Sequence, residues 1–433
     1  MSGFLATNSV PVSGSLFSGG GVGDVGIEWG SKIPVIASLE IIPSRAQLIR
    51  KNFPATKVFE GDIWELQNKY VEYFKNKLEG KRPWLLTLSP PCQGMSANGA
   101  GRISSSIRSG KRPKEDERNR LILPGISILE NLQPDWFILE NVRRMENTII
   151  RNERNEPENI LHCLGRRLHP LGYSIRSCVV DLSNYGVPHH RERLLTIGCR
   201  IPKIKDVIPV KEDIFSKELS PFHAKPTHGI QCENQLISLR KAIGHLPALD
   251  SQARLKDSSD PFHCIPKWNN RQYFWMKHTP EGKSAFANLI CPICSYYNKK
   301  NESVLCEKCG TALPRPSLFS NGKYRLIKGF KTSYRRMEWD RVASTLTLNS
   351  GVISSDMKGH PEQNRVLSLR EILILSTLDN PLWDREYSFD GIHYGRMSSN
   401  SNFSHRLVRE VIGESIPPLA MNKIVEYLRD IKT

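Results

Sequence analysis

The sequence predicts an α/β fold, with a mixed, mostly parallel sheet and a smaller module standing apart from it. Three observations predict this. Short apolar runs recur through residues 1–200, each stopped by glycine, proline or a charged side chain, with helical stretches between them. That rhythm is lost between 200 and 340, where Pro, His and aromatic residues gather. Inside this irregular middle, two Cys-x-x-Cys pairs stand eleven residues apart.

The first run ends in Ser15-Leu16-Phe17-Ser18-Gly19-Gly20-Gly21-Val22-Gly23, a strand end turning through glycines into a helix. Such a turn lets a ligand lie against bare backbone, although a glycine-rich turn alone is ordinary turn chemistry. It is not a phosphate-binding P-loop, because no Gly-Lys-Ser/Thr follows. Next, Pro34–Glu40 is an apolar run ending in a carboxylate, about 20 residues past the glycines, where an acid can take both hydroxyls of a ribose. Lys57–Ile63 ends a third strand with Asp62, suited to an adenine amino group. Acids at strand ends also cap helices. Gly, Glu and Asp at three successive strand ends together describe a nucleoside-shaped cleft.

Trp84–Leu88 is the fourth run, halted by Pro90 and Pro91 before the thiol of Cys92, with Gly94 behind it. A lone intracellular cysteine is usually a small buried hydrophobe, but one at a strand end ahead of a loop is placed as a nucleophile would be. Residues 97–112, rich in Gly, Ser and Arg, read as a basic loop able to close over such a thiol. Arg118–Leu129 reads as a helix, and Asp135–Val142 as another buried strand that sets Glu140 at the same sheet edge as Cys92. Tyr185–Arg193 then leads into the strand Leu194–Gly198, with Arg191 and Arg193 available to clamp phosphate or a base carbonyl.

These pieces resemble the DNA cytosine-C5 methyltransferases over roughly 13–200 and 341–430. The most specific matches are Pro90-Pro91-Cys92-Gln93-Gly94, Glu140-Asn141-Val142, and Gly186-Val187-Pro188 followed by Arg191 and Arg193. Arg341–Thr347 looks like the segment supporting the target-recognition region, and Gly413–Ala420 like the final cofactor-pocket motif. The resemblance implies a Rossmann-like, S-adenosylmethionine-dependent methyltransferase sheet. It implies that Cys92 adds to cytosine C6, that protonated Glu140 hydrogen-bonds N3, and that Arg191 and Arg193 hold the base O2 and a neighbouring phosphate. The implied cofactor wall is Phe17, Gly19, Gly21, Glu40, Ile41, Asp62, Ile63, Pro91, Leu121, Glu414 and Ser415. The chain departs from the family pattern at Ser15 (usually an acid), Val22 (a glycine), His189 (a glutamine) and Glu414 (an asparagine). The chemistry itself is coherent: C5 of cytosine is a poor nucleophile until a thiolate adds at C6, and C6 is reached only in a base flipped from the duplex.

With 61 Lys and Arg against 44 Asp and Glu, the net charge of +17 favours a polyanion partner, here double-stranded DNA. Residues 265–340 carry 14 Lys/Arg against 5 Asp/Glu, interleaved with aromatics. Cys291, Cys294, Cys306 and Cys309 have the spacing of a closed, tetrahedral structural Zn²⁺ site. A redox dithiol would not need both pairs, and four thiolates leave no open position for catalysis. We therefore expect a catalytic domain over 1–200 and a target-recognition domain over 201–340 with a zinc ribbon at 291–309. Residues 341–433 are expected to support that domain and return to the first. With no membrane-length apolar run, and no secretion signal over Met1–Pro11, the expectation is a cytoplasmic, nucleoid-associated monomer. A cognate restriction endonuclease is the expected partner. The alternatives are the same chemistry on RNA, as in the family's tRNA-acting branch, and a silent DNA-binding regulator. The inserted module argues against the first, and intact Cys92, Glu140 and Arg191 against the second.

Overall fold

The computed structural model describes residues 9–91, 116–202, 204, 214–328, 332–392, 394 and 402–431. Cys92, Gln93, Gly94 and the 97–112 loop lie outside the described residues. Within them, β1 (Ser9–Leu16) leads into a three-residue helix, α1 (Val22–Asp24), which continues as a π-helical turn (Val25–Gly30). Then follow β2 (Val35–Glu40), α2 (Pro43–Asn52), β3 (Lys57–Glu60), α3 (Ile63–Lys77) and β4 (Arg82–Leu88). After a 3₁₀ turn at Glu117–Leu121 come α4 (Ile122–Leu132) and β5 (Trp136–Asn141). A small hairpin, β6 (Ile149–Arg151) and β7 (Pro157–Asn159), precedes α5 (Ile160–Leu168), β8 (Ser174–Asp181) and β9 (Glu192–Cys199).

The main sheet has seven strands in the order β3-β2-β1-β4-β5-β9-β8. The first five run parallel and β9 alone is reversed, so the sheet is mixed and mostly parallel, as expected. Side chains alternate between its faces. Phe137 and Leu139 join the layer built with α3, α4 and α5, while Trp136 and Ile138 join the opposite layer. Covering both faces makes the strands near-continuous apolar runs, which is why they were legible. β1 lies between β2 and β4, so the chain leaves it to one side and returns on the other. The crevice at that reversal opens outside the carboxyl ends of the strands.

Beyond residue 200 regular structure thins. It comprises α6 (Leu239–Ile243), α7 (Asn270–Lys277), the hairpin β10 (Ser317–Ser320) and β11 (Lys323–Leu326), and α8 (Leu369–Leu375). A separate buried cluster holds Trp268, Trp275, Met276, Ala285 and Tyr334, and takes Ile353 and Val366 from beyond residue 340. The chain then returns through α9 (His405–Glu414) and α10 (Pro418–Asp430). α10 lies against the π-helical turn, where Asn422 donates to Ser31 Oγ at 3.0 Å, and its Ile424 and Val425 join Ile27 and Val35 in one core. Among the described residues no helix is long and apolar enough to cross a membrane.

Candidate active site

The ends of β1 to β5 and the start of the C-terminal return enclose a cavity of ≈ 260 Å³ at the chain reversal. Ten of the eleven expected cofactor residues line it: Phe17, Gly19, Glu40, Ile41, Asp62, Ile63, Pro91, Leu121, Glu414 and Ser415. Gly21 does not. It sits behind the turn with φ 76°, where a Cβ would meet the Phe53 ring at 2.9 Å, so it shapes the turn from outside. Phe17 is also held at a positive φ of 57°, an uncommon conformation for an aromatic residue and one that collects at functional sites.

Glu40 ends β2 with its carboxylate fixed by backbone. Gly19 N–H donates to Oε2 and Ile42 N–H to Oε1, both at 2.8 Å, leaving each oxygen a further lone pair. Burial raises its pKa, opposed by these amides and by Arg45. Asp62 fulfils both readings of a strand-end acid, since it lines the cavity and caps α3 by accepting from Trp64 N–H at 2.9 Å. Glu414, also lining the cavity, pairs with Arg45 of α2, tying the C-terminal segment to that helix. The family's usual asparagine could not make that charged link.

The opposite wall carries Glu140, Asn141 and Arg193. Glu140 and Arg193 form an ion pair, Nε to Oε1 at 2.5 Å, with both side chains nearly buried. Asn141 donates from Nδ2 to the Pro90 carbonyl at 3.0 Å and accepts from Val142 N–H at 2.8 Å. It thereby fixes the backbone two residues before Cys92, a role the motif alone did not assign. The structure does not bring Arg191 into the cavity. Its guanidinium, 1% exposed, donates to the carbonyls of Leu346 at 3.1 Å and Gly413 at 3.2 Å. The expected base or phosphate contact for Arg191 is therefore replaced by an internal one, while Arg193 stays at the site. His189 is buried beside it, its Nδ1 against the His190 carbonyl, and burial lowers its pKa to about 3.

The family profile described as C-5 cytosine-specific DNA methylase matches residues 13–429. This chain belongs to that family. It is therefore a cytosine-C5 DNA methyltransferase, and the methyl donor of its family is S-adenosylmethionine. The Type II methyltransferase M1.HgaI of Avibacterium volantium is 30% identical over 96% of this chain and 97% of its own length. The Type II methyltransferase M.NgoPII of Neisseria gonorrhoeae is 26% identical over 76% of this chain and 82% of its own. Among solved structures, a candidate DNA modification methyltransferase from an E. coli prophage superposes with a TM-score of 0.57. It has 17% identity over 97% of this chain and 98% of its own. A mutant of DNMT2 from Spodoptera frugiperda gives 0.54, with 14% identity over 96% and 99%. These last two bear on the fold alone.

The methylase's four Cys-x-x-Cys sulfurs all lie within 4.8 Å of one another. Cys291 to Cys309 is 3.5 Å and Cys294 to Cys306 is 3.6 Å. Tetrahedral Zn–S bonds of ~2.3 Å would set such sulfurs about 3.8 Å apart, so the ligand set fits. Each knuckle turns through a residue at positive φ just after its second cysteine, Ser295 at 56° and Gly310 at 71°. Only the glycine was readable as such in the sequence. The module has little apolar core, Cys291, Cys306 and Leu313 being its buried cluster. Polar groups bind it instead. Asn298 spans both knuckles, donating to the Leu289 carbonyl at 2.9 Å and accepting from Glu307 N–H at 2.8 Å. Buried Arg315 donates to the carbonyls of Phe286, Asn301 and Ser303.

Proposed function

We propose that this methylase performs sequence-specific modification of double-stranded DNA, flipping one cytosine from the duplex and methylating C5 through a covalent Cys92 adduct. The single observation that carries the reading is the cavity at the chain reversal, which has nucleoside-binding acids on one wall and the Glu140–Arg193 pair with Pro91 on the other. Cys92 follows Pro91 directly in the chain.

The Cys92 thiolate adds to C6, and the C5=C6 electrons shift into the ring towards N3, which takes up a proton from solvent while Glu140, held by Arg193, accepts a hydrogen bond from the N3–H. Arg193, already held by Glu140, offers its remaining donors to the base O2. Asn141 holds the Pro90 carbonyl beside Glu140, two residues ahead of Cys92 in the chain. Bound S-adenosylmethionine supplies an electrophilic methyl group, which C5 takes up. A base removes the C5 proton, the electron pair re-forms C5=C6, N3 gives its proton back to solvent, and Cys92 leaves as thiolate. Phe17 packs on the cofactor, Glu40 holds its ribose and Asp62 its adenine. Ile41, Ile63, Leu121, Glu414 and Ser415 close the wall. Arg191 acts behind the site by holding Gly413.

The domain assignment follows: catalysis in 1–200, target recognition in 201–340 carrying structural Zn²⁺ on Cys291, Cys294, Cys306 and Cys309, and a returning segment over 341–433. Its partners are duplex DNA and, as the Type II methyltransferase relatives suggest, a restriction endonuclease of the same site. The monomer is taken as the working unit.

The test is incubation with duplex DNA containing 5-fluorocytosine, whose C5 fluorine cannot leave as a proton does. Wild-type protein should form a covalent complex that Cys92→Ser does not. A parallel methylation assay on duplex DNA and on RNA decides the substrate, and bisulfite sequencing of a treated plasmid gives the target site. Turnover by Cys92→Ser would refute the nucleophile.

A further inference from the structure

Beneath the glycine turn lies a carboxylate that the proposed chemistry leaves unused. Asp24 ends α1, lines the cavity and is 3% exposed. Ser15 faces its carboxyl and favours the ionised form, while Oδ2 has no hydrogen-bond partner among the described residues. The groups facing it are Ser15 from β1, Glu28 from the π-helical turn, Tyr70 from α3 and Tyr387 from the segment before α9. Three of these already have other commitments. Glu28 accepts from Val35 N–H at 3.0 Å, Tyr70 donates to the Ala37 carbonyl at 3.2 Å, and Tyr387 donates to the Gly20 carbonyl. None of the four is a cation. A buried carboxylate left this way is costly, and burial, helped by Glu28, pushes its pKa up to about 7.

Ser15 stands where the family pattern has an acid at the end of the first strand. The negative charge missing from the strand end is supplied in space by the first helix, with the Ser15 hydroxyl facing it. We propose that Asp24, oriented by Ser15, is the relocated counter-charge that receives the α-ammonium of S-adenosylmethionine. This rests on the cavity being the cofactor site. Glu40 and Asp62 serve the nucleoside end, so the amino-acid end falls to the glycine turn and the carboxylate behind it. The incoming cation provides the partner that Oδ2 lacks, and so draws the carboxyl into its ionised form.

The sign with pH follows. Only ionised Asp24 attracts the ammonium, so affinity is full well above pH 7 and falls through that pH as the carboxyl protonates. Two ligands separate the causes. S-adenosylhomocysteine keeps the ammonium without the sulfonium charge, and methylthioadenosine lacks the amino-acid portion altogether. At pH 8, Asp24→Asn should weaken S-adenosylhomocysteine about tenfold or more, as loss of a buried charge-assisted bond does, and methylthioadenosine less than about twofold. Wild-type affinity for S-adenosylhomocysteine should fall between pH 8 and 6, and Asp24→Asn should be flat over that range. Ser15→Ala, which removes the hydroxyl that favours the ionised carboxyl, should move the wild-type midpoint to higher pH. Unliganded Asp24→Asn should melt no lower than wild type at pH 8. Unchanged S-adenosylhomocysteine binding in Asp24→Asn, or equal loss of both ligands, would overturn the proposal. Binding of neither ligand by wild type would instead sink the reading of the cavity, and this assignment with it.

Discussion

The Arg191 guanidinium donates to the Gly413 carbonyl at 3.2 Å from both terminal nitrogens, joining residues 222 apart in sequence. A third bond reaches the Leu346 carbonyl at 3.1 Å. Arg191 thus clamps the segment that carries Glu414 and Ser415 against the strand that carries Arg193. Replacement by Met keeps the bulk and strands two carbonyls without donors. At about 1–3 kcal/mol for each buried unsatisfied group, Arg191→Met should cost about 3 kcal/mol in urea unfolding. It should also weaken S-adenosylhomocysteine binding, because Glu414 and Ser415 lose their anchor. A variant of unchanged stability that lost only affinity for DNA would return Arg191 to the base.

The same junction tolerates no side chain at residue 413. A Cβ there would lie 2.2 Å from Leu348 N and 2.3 Å from the Thr347 carbonyl carbon, both backbone atoms unable to step aside. Gly413→Ala should therefore destabilise by about 1–3 kcal/mol, as overpacking does, and lower cofactor affinity with it. Wild-type melting and binding in that variant would contradict this account of the junction.

Asn141 is a positioning residue whose test is kinetic. Asn141→Asp preserves the shape but replaces the Nδ2 donor to Pro90 with an oxygen, turning an attraction into a repulsion. The backbone leading to Cys92 should shift, and a misplacement of about 1 Å costs up to ~10²-fold in rate. We expect kcat to fall by that order, with slower trapping by 5-fluorocytosine DNA and cofactor affinity nearly unchanged. Equal loss of cofactor affinity would place Asn141 in the binding wall instead.

What the sequence made legible was local. Gly19, Glu40 and Asp62 each end a strand within a few residues of the apolar run that predicts it, and parallel pairing brings such ends together. The two cysteine knuckles are likewise written in spacing alone. Arg191 and Arg193 look equivalent in sequence, but Arg193 lies within β9 and Arg191 in the turn before it. The Arg191 backbone N–H is held there by Asp181 at 3.0 Å. Its side-chain partners are set by chain return, which no local pattern encodes. Asp24 was hidden for the same reason, since only burial distinguishes it from a surface acid. The Asn321-Gly322 turn of the β10–β11 hairpin, with φ values of 52° and 71°, does carry a local signal, the Asn-Gly pair that a two-residue hairpin turn favours.

Metal removal tests the module after residue 290. Four cysteine sulfurs within 4.8 Å of one another, and a buried cluster of Cys291, Cys306 and Leu313, would leave the ribbon dependent on the proposed zinc ion. The purified protein should hold one zinc per chain by emission spectroscopy. A strong chelator should release it, expose the ribbon to proteolysis and abolish sequence-specific DNA binding. Cofactor binding should survive, because the cavity takes no residue from the ribbon. Cys306→Ser should behave like the chelated protein. Full DNA binding by zinc-free protein would remove the structural role.

Acid sensitivity follows from three buried histidines. Burial is the largest cause in each, lowering His189 to about 3, His223 to about 4 and His360 to about 3, from an ordinary 6.5. His360 Nδ1 accepts from the N–H groups of Glu362 and Gln363, and so is used as the unprotonated nitrogen. Between pH 4 and 6.5 the unfolded chain therefore binds up to three protons that the native state refuses, and stability rises with pH. Asp24, raised to about 7, acts in the opposite sense by one proton, and the raised carboxyls of Glu28 and Glu40 oppose it further near their ordinary range. The histidines prevail above pH 5, where a net uptake of one to two protons corresponds to about 1–3 kcal/mol per pH unit. Urea midpoints should climb from pH 5 to 6.5. His189→Gln, which restores the residue usual in the family, should reduce that slope by about one proton. A flat or falling midpoint over this range would mean that these imidazoles are charged in the native protein, against the burial and hydrogen bonding that surround them.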